Sequence, residues 1–186
     1  MIRAIAPLLR PPHARVHVPG SKSITNRALV CAALADGTSV IRNPSDSDDS
    51  ALMVNALDQL GVFTERGGKE WRVHGTGGRL HAPKFPVPVG NAGTTLRFLL
   101  SLAAVAPGKT VFEGSQRMGE RPQEPLLEAL RSLGVEAGRE GPAARYAVRG
   151  GTVHGCAVRL PTDRSSQFLS SLLLAAPAMP EGLRVS

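Results

Sequence analysis

Aromatic residues are scarce: five Phe, one Trp and one Tyr make up 4% of the 186 residues. A core must therefore be aliphatic, built from Leu, Val and Ala, and base-stacking platforms of the kind used on single-stranded nucleic acid have little to be made from. Cysteine is nearly absent too, with only Cys31 and Cys156 and no CxxC spacing, so neither a disulfide framework nor a zinc site is expected. Cys31 lies in an apolar helical pattern and Cys156 in a Val-rich stretch, and both are read as small core hydrophobes. The five His, at 13, 17, 74, 81 and 154, form no HxH or HExxH spacing, so no metal site is assigned and none is given a catalytic role. No apolar run reaches the roughly 18 residues of a membrane span, and Met1 to Arg10 has no long apolar segment. A soluble, cytoplasmic protein without membrane partners is expected.

What the chain does contain is arginine. Lys occurs only at 22, 69, 84 and 109, yet 22 basic residues against 15 acidic ones give a formal net charge of +7. Such a balance suits acidic partners, either nucleic acid or small phosphorylated and carboxylated molecules. The Arg residues are dispersed, with no run of five like charges, which argues against a nucleic-acid partner. With 42% hydrophobic and 20% charged residues, one sizeable globular domain is the default.

Three segments share one design: SKSITNRALVCAALADG (21–37), NAGTTLRFLLSLAAVAPG (91–108) and DRSSQFLSSLLLAAPAMPEG (163–182). Each opens on small polar residues, runs about three turns of Leu and Ala, and stops near Gly or Pro, the pattern of a cap, an apolar helix and a terminator. Arg27 and Arg97 stand 70 residues apart, as do Arg97 and Gln167. After the first two helices come β-like runs, Ser39–Ile41 and Thr110–Phe112, then polar loops, SDSDDS (45–50) and SQRMGERPQE (115–124). Second helices then end alike, in NALDQLGV (55–62) and EALRSLGV (128–135), followed by alternating strands at 70–74 and 145–149. The spacing predicts an α/β fold of repeated units of about 70 residues, two complete (about 19–82 and 84–151) and a third (152–186) cut short before its strand, helix and strand pair. His81 to Val89 is read as a Pro-rich connector.

Helix N-termini bind anions through free N–H groups and the helix dipole. Ser23 and Arg27 are spaced i, i+4 on one helix face, and Gly93, Thr94 and Arg97 face together on the second helix, an arrangement suited to a phosphate. Lys22 is not a Walker A lysine, because Ser21 and Val16 stand where that loop needs glycines, and no GxGxxG is present. Arg117, Glu120 and Arg121 precede Pro122, read as the N1 proline of the next helix. Asp46, Asp48 and Asp49 are read as a cap with solvated charges.

PGSKSITNRAL (19–29), GNAGTTLRFL (90–99), RMGERP (117–122) and SSQFLSSLL (165–173) resemble, in order and spacing, the signature segments of the EPSP synthase family. The resemblance runs from about Pro19 to Leu174. It implies repeated βαβαββ-type units, three in each of two globular halves with the active site between them, in chains more than twice this length. Residues 1–18 would belong with the second half, and 19–186 would form the N-terminal globular domain. It further implies transfer of the carboxyvinyl group of phosphoenolpyruvate to the 5-hydroxyl of shikimate 3-phosphate, by addition and elimination through a tetrahedral intermediate, with no cofactor and with the full-length protein a monomer. Carried over by position, Lys22, Ser23, Arg27, Ser165, Ser166 and Gln167 would bind shikimate 3-phosphate. Lys22, Asn91, Gly93, Thr94, Arg121 and Gln167 would bind phosphoenolpyruvate, with Lys22 the one catalytic position and Arg97 a further Arg near the site. A side chain at Gly93 would fill space that a ligand needs. Arg164 and Phe98 depart from the common pattern, and the acid/base carboxylates would lie in the C-terminal half. Two alternatives stand beside this reading. The sister UDP-N-acetylglucosamine enolpyruvyl transferase carries Lys-Asn where this chain has Lys22-Ser23, and a loop Cys that 113–122 lacks. The other is a non-catalytic anion- or RNA-binding module.

Overall fold

The computed structural model describes residues 4, 6–141, 143–151, 153–161 and 165–186. Asp163 and Arg164, named above, lie outside them. Residues 6–19 are exposed and form neither helix nor strand.

The chain begins its regular structure with helix α1 (Lys22–Leu34), strand β1 (Asp36–Arg42), helix α2 (Asp48–Gln59) and the hairpin β2 (Phe63–Gly67) and β3 (Glu70–Thr76). A second run follows the same order. Strand β4 (Val87–Gly90) leads into helix α3 (Gly93–Val105), strand β5 (Gly108–Gly114), a short helix α4 (Gln116–Gly119), helix α5 (Glu124–Ser132) and the hairpin β6 (Glu136–Arg139) and β7 (Arg145–Gly150). Strand β8 (Ala157–Val158), helix α6 (Ser166–Ala175), a 3₁₀ turn at 176–178 and strand β9 (Arg184–Val185) complete the described elements. The sheets are ordered β1-β3-β2, β4-β5-β7-β6 and β8-β9.

The LGV endings do the same physical work in both runs. Gly61 and Gly134 adopt positive φ, 94° and 82°. The following N–H of Val62 reaches back to the Leu57 carbonyl (2.9 Å) and that of Val135 to Leu130 (3.1 Å), which satisfies carbonyls the helix end leaves open. The chain is thereby turned into the hairpin. Close packing repeats as well. Gly75 on β3 presses against the carbonyls of Ala32 and Ala35 at the end of α1, and Gly150 on β7 against those of Ala103 and Ala106 at the end of α3.

Helix α3 is the centre of the molecule. Leu96, Phe98, Leu99, Leu100, Leu102, Ala103 and Ala104 are all buried. It packs against both α1 and α6, which also touch each other, as the Leu/Ala periodicity of the three segments predicts. Where α3 meets α6, small residues let the helices approach: the buried Ser101 and Ser171 hydroxyls bond each other, and Ser171 also donates to the Arg97 carbonyl at 2.7 Å.

Four expectations are corrected. Cys31 and Cys156 are exposed. In α1 the buried positions are Thr25, Asn26, Leu29, Val30, Ala32 and Ala33, which leaves Ile24 and Cys31, two turns apart, on the outer face. Both thiols are expected to react with a thiol reagent in the folded chain, counted by absorbance without denaturant; silent thiols would contradict this surface. The Pro-rich 81–89 stretch is not only a connector, because β4 pairs in parallel with β5 from Val87 onward. Pro88 is tolerated because β4 is an edge strand with one side unpaired. Pro122 does not open α5: Gln123 is the cap residue and Pro125 occupies the first turn. Finally, a strand does follow the third apolar helix. Strand β9 lies parallel to β8, as β5 lies parallel to β4, so α6 is a crossover like α3.

Candidate functional site: an anion cleft between three helix starts

Strands β4 and β5 run parallel, and their carboxyl ends point to one place, where a crevice commonly forms in α/β folds. Beyond β4 comes the Asn91 turn and the start of α3. Beyond β5 comes Ser115, whose N–H donates to the Gly90 carbonyl (2.7 Å) and whose Oγ caps α4 at Met118 (3.3 Å). That fixes the loop carrying Arg121, whose Nη1 donates to the Asn91 carbonyl at 3.1 Å.

Around this point lies an open cleft of about 550 Å³ lined by Lys22, Asp49, Asn91, Gly93, Thr94, Arg97, Arg121, Pro122, Ser165 and Gln167. Three helix starts meet there. Those of α1 and α6 are capped by side chains, Ser21 Oγ to the Ile24 N–H (3.4 Å) and Ser165 Oγ to the Gln167 N–H (3.2 Å). The start of α3 has no side-chain cap, so its N–H groups are free to serve a ligand. A smaller depression of about 240 Å³ over β5, β6 and β7 is also rich in charge. Lys109 is matched to Glu140 (2.6 Å) and Arg149 to Glu136 (3.0 Å), and the third cation, Arg139, donates to the Ala143 and Gly119 carbonyls (both 3.3 Å), so the depression is a poorer anion site than the cleft.

In the cleft three cations face one carboxylate. Lys22 Nζ is 2.9 Å from Asp49. Asp49 is held in place by its own backbone, since its carbonyl accepts from Thr95 Oγ1 (3.1 Å), which in turn accepts from Asn26 Nδ2 (3.4 Å). Arg121 is exposed. Arg97 is buried, 9% exposed, and stacks 4.6 Å from the Phe168 ring centroid. Burial first, and then the nearby Arg121 charge, lower the pKa of Arg97 from its ordinary value. Two guanidinium groups that raise each other's energy are a place where an anion lowers it.

Of the residues assigned from sequence, Lys22, Asn91, Gly93, Thr94, Arg97, Arg121, Ser165 and Gln167 line the cleft. Ser23, Arg27 and Ser166 do not. Arg27 is engaged within the chain: Nη1 donates to the Ser23 carbonyl (3.0 Å), Nη2 to Ser170 Oγ (3.2 Å), and the group lies over Phe98. A Cβ at Gly93 would stand 2.6 Å from Arg121 Nη1, so a side chain there would push the exposed Arg121 out of its place in the cleft. Asp49 was missed as a cleft residue. The cap of α2 is Ser47, Asp46 pairs with Arg66 at 2.6 Å, and the acidic run gives no local sign that its third Asp meets Lys22.

Parallel strand ends, three helix starts and two arginines with no carboxylate partner among the described residues make an α/β domain with a cleft suited to an anion. The profile of the EPSP synthase (3-phosphoshikimate 1-carboxyvinyltransferase) family matches residues 10–186. A 3-phosphoshikimate 1-carboxyvinyltransferase of Methanothermobacter thermautotrophicus is 44% identical over 172 residues, covering 91% of this chain and 40% of that relative. One from Rhizobium leguminosarum bv. trifolii is 41% identical over 173 residues, covering 92% and 41%. The EPSP synthase structure of Acinetobacter baumannii superimposes with a TM-score of 0.78 at 29% identity, over 87% of this chain and 37% of that one. The enolpyruvyl transferase NikO of Streptomyces tendae superimposes at 0.58 and 26% identity, over 89% and 38%. The chain belongs to the EPSP synthase family, and it spans about two fifths of the length of these relatives.

Proposed function

We propose that this chain is the substrate-gripping half of an enzyme that moves the carboxyvinyl group of phosphoenolpyruvate to the 5-hydroxyl of shikimate 3-phosphate, with inorganic phosphate leaving. The observation that carries the reading is the convergence, in one cleft, of residues from all four resemblance segments: Lys22 from the first, Asn91, Gly93, Thr94 and Arg97 from the second, Arg121 from the third, and Ser165 and Gln167 from the fourth. The two substrates are anions. Lys22, Arg121 and the open N-terminus of α3 supply the neutralising charge and the N–H donors, and Thr94, Ser165 and Gln167 supply neutral hydrogen bonds. Asn91, Gly93, Thr94 and Arg121, which sit together beyond β4 and β5, take phosphoenolpyruvate. Ser165 and Gln167, with Ser166 between them and with Ser23 and Arg27 of α1, take shikimate 3-phosphate, and Gln167 also touches phosphoenolpyruvate. Lys22 serves both and is the residue here that acts on the reacting group. Holding two reactants side by side lowers the barrier by orientation and by charge stabilisation. In this reading 19–82 and 84–151 are repeats, 152–186 begins a third, and the full-length protein is a cytoplasmic monomer.

Calorimetry and a phosphate-release assay on the 186-residue chain test the reading. Shikimate 3-phosphate is expected to bind, unphosphorylated shikimate to bind far more weakly, and phosphate release to be undetectable without the remaining portion that the relatives possess. Equal affinity for the two shikimates would remove the phosphate from the account. Turnover by the pure chain would show that no second half is required.

A further inference from the structure

The Arg97 guanidinium spends its donors almost entirely on the protein. Nε donates to Gln123 Oε1 (3.1 Å) and Nη2 to the Pro122 carbonyl (3.2 Å), which occupies one edge of the fork. Nη1 donates to Ser165 Oγ (3.3 Å) and, most closely, to Gln167 Oε1 (2.6 Å). A guanidinium has no acceptor, so the Gln167 atom facing it has to be the carboxamide oxygen. The NH2 of Gln167 is then turned away from Arg97, and Gln167 lines the cleft. Among the described residues that nitrogen has no hydrogen-bond partner within the chain.

We propose that Arg97 is a positioning residue: by taking the Gln167 oxygen it presents the Gln167 NH2 to the cleft as a donor for a phosphorylated substrate. Three separate pieces of chain meet on it. Pro122 and Gln123 belong to the segment after the Arg121 loop, Ser165 and Gln167 to the start of α6, and Arg97 itself rises from α3. The stack on Phe168 holds the plane of the guanidinium, and Gln123 is in turn buried and held near the Met118 sulfur (3.7 Å). A free glutamine could offer its oxygen or its nitrogen to the cleft. This one offers a donor only, which favours a phosphate or hydroxyl and disfavours a cation. Arg97 thus acts through Gln167 rather than by touching the ligand. The identity of that ligand rests on the function proposed above; the orientation of the amide does not.

Two variants and two readouts test it. In the ¹⁵N spectrum of the free chain, the Gln167 side-chain NH2 pair is expected to stand apart from the solvent-exposed glutamines. Titrating shikimate 3-phosphate is expected to move it further. Arg97→Lys keeps the charge but cannot hold Gln123, Pro122 and Gln167 together. The NH2 pair is expected to collapse to the exposed position and the shikimate 3-phosphate Kd to rise about 10- to 150-fold, the range for one lost hydrogen bond to a charged group. Gln167→Glu keeps an oxygen for Arg97 but places a second oxygen where the donor stood. The melting temperature is expected to hold or rise while the Kd increases about 100-fold or more through like-charge repulsion. An unmoved NH2 pair in Arg97→Lys overturns the proposal. So does a Gln167→Glu chain that loses stability and keeps its Kd, and this second variant decides if the first does not fold. If shikimate 3-phosphate does not bind the unmodified chain at all, the function proposed above fails, and the resonance of the free chain alone decides the positioning.

Discussion

Replacing Arg121 by alanine is expected to weaken phosphoenolpyruvate binding by about 10- to 150-fold, at unchanged melting temperature. Among the described residues its guanidinium makes one hydrogen bond, to the Asn91 carbonyl, and it is exposed, so little folding energy is lost with it. What goes is one of the charges facing the open start of α3. Arg27→Ala is expected to behave differently. Arg27 bonds the Ser23 carbonyl and Ser170 and covers Phe98, so its loss costs stability of about 1 kcal/mol and reaches shikimate 3-phosphate only through the chain beside it. The measurement is the Kd of each ligand and a melting curve for both variants. Equal losses for both ligands in both variants, with stability intact, would reduce the two arginines to a diffuse positive field.

Gly150→Ala is expected to be the most damaging single substitution, at roughly 3 kcal/mol, or about 10 °C in melting temperature for a chain of this size. An alanine Cβ there would stand 1.9 Å from the Ala103 carbonyl and 2.5 Å from that of Ala106. Those are backbone atoms at the end of the central helix and cannot turn aside as a side chain can. Gly75→Ala meets the Ala35 and Ala32 carbonyls at 2.2 and 2.4 Å and should cost a similar amount. Gly138, on the same sheet as Gly150, has open space at its Cβ position, so Gly138→Ala should stay within about 0.5 kcal/mol of the parent. Urea unfolding of the three variants checks the ordering; three equal losses would mean the glycines act through chain entropy and not through close packing.

Much of this was legible in the chain because it is written locally. Leu/Ala periods with Ser21 and Ser165 in front fix α1 and α6, and LGV marks a helix end because Gly61 and Gly134 can take positive φ where Leu and Val cannot. The strand at Val87 was hidden because Pro88 reads as a breaker, and only the unpaired edge of the finished sheet excuses it. Exposure of Cys31 follows from the phase of the helix, which the mostly apolar stretch around it obscures. The pairings that build the cleft are long-range. Lys22 meets Asp49 only once α1 packs on α2, and Arg97 becomes a buried hub only when Phe168 and Gln167 arrive from 70 residues further on. A motif could therefore name Arg97 as near the site, while its spacing could not say that its donors are already spent.

The central claim is that an anion is received where three helix starts converge. The most direct measurement is a backbone ¹H–¹⁵N map of the 186-residue chain titrated with shikimate 3-phosphate and then phosphoenolpyruvate. The account predicts that the largest shifts fall on 22–24, 93–95 and 166–168, with Arg121 responding to the second ligand. Shifts confined to the charged face of β5, β6 and β7, with those three helix starts silent, would contradict it.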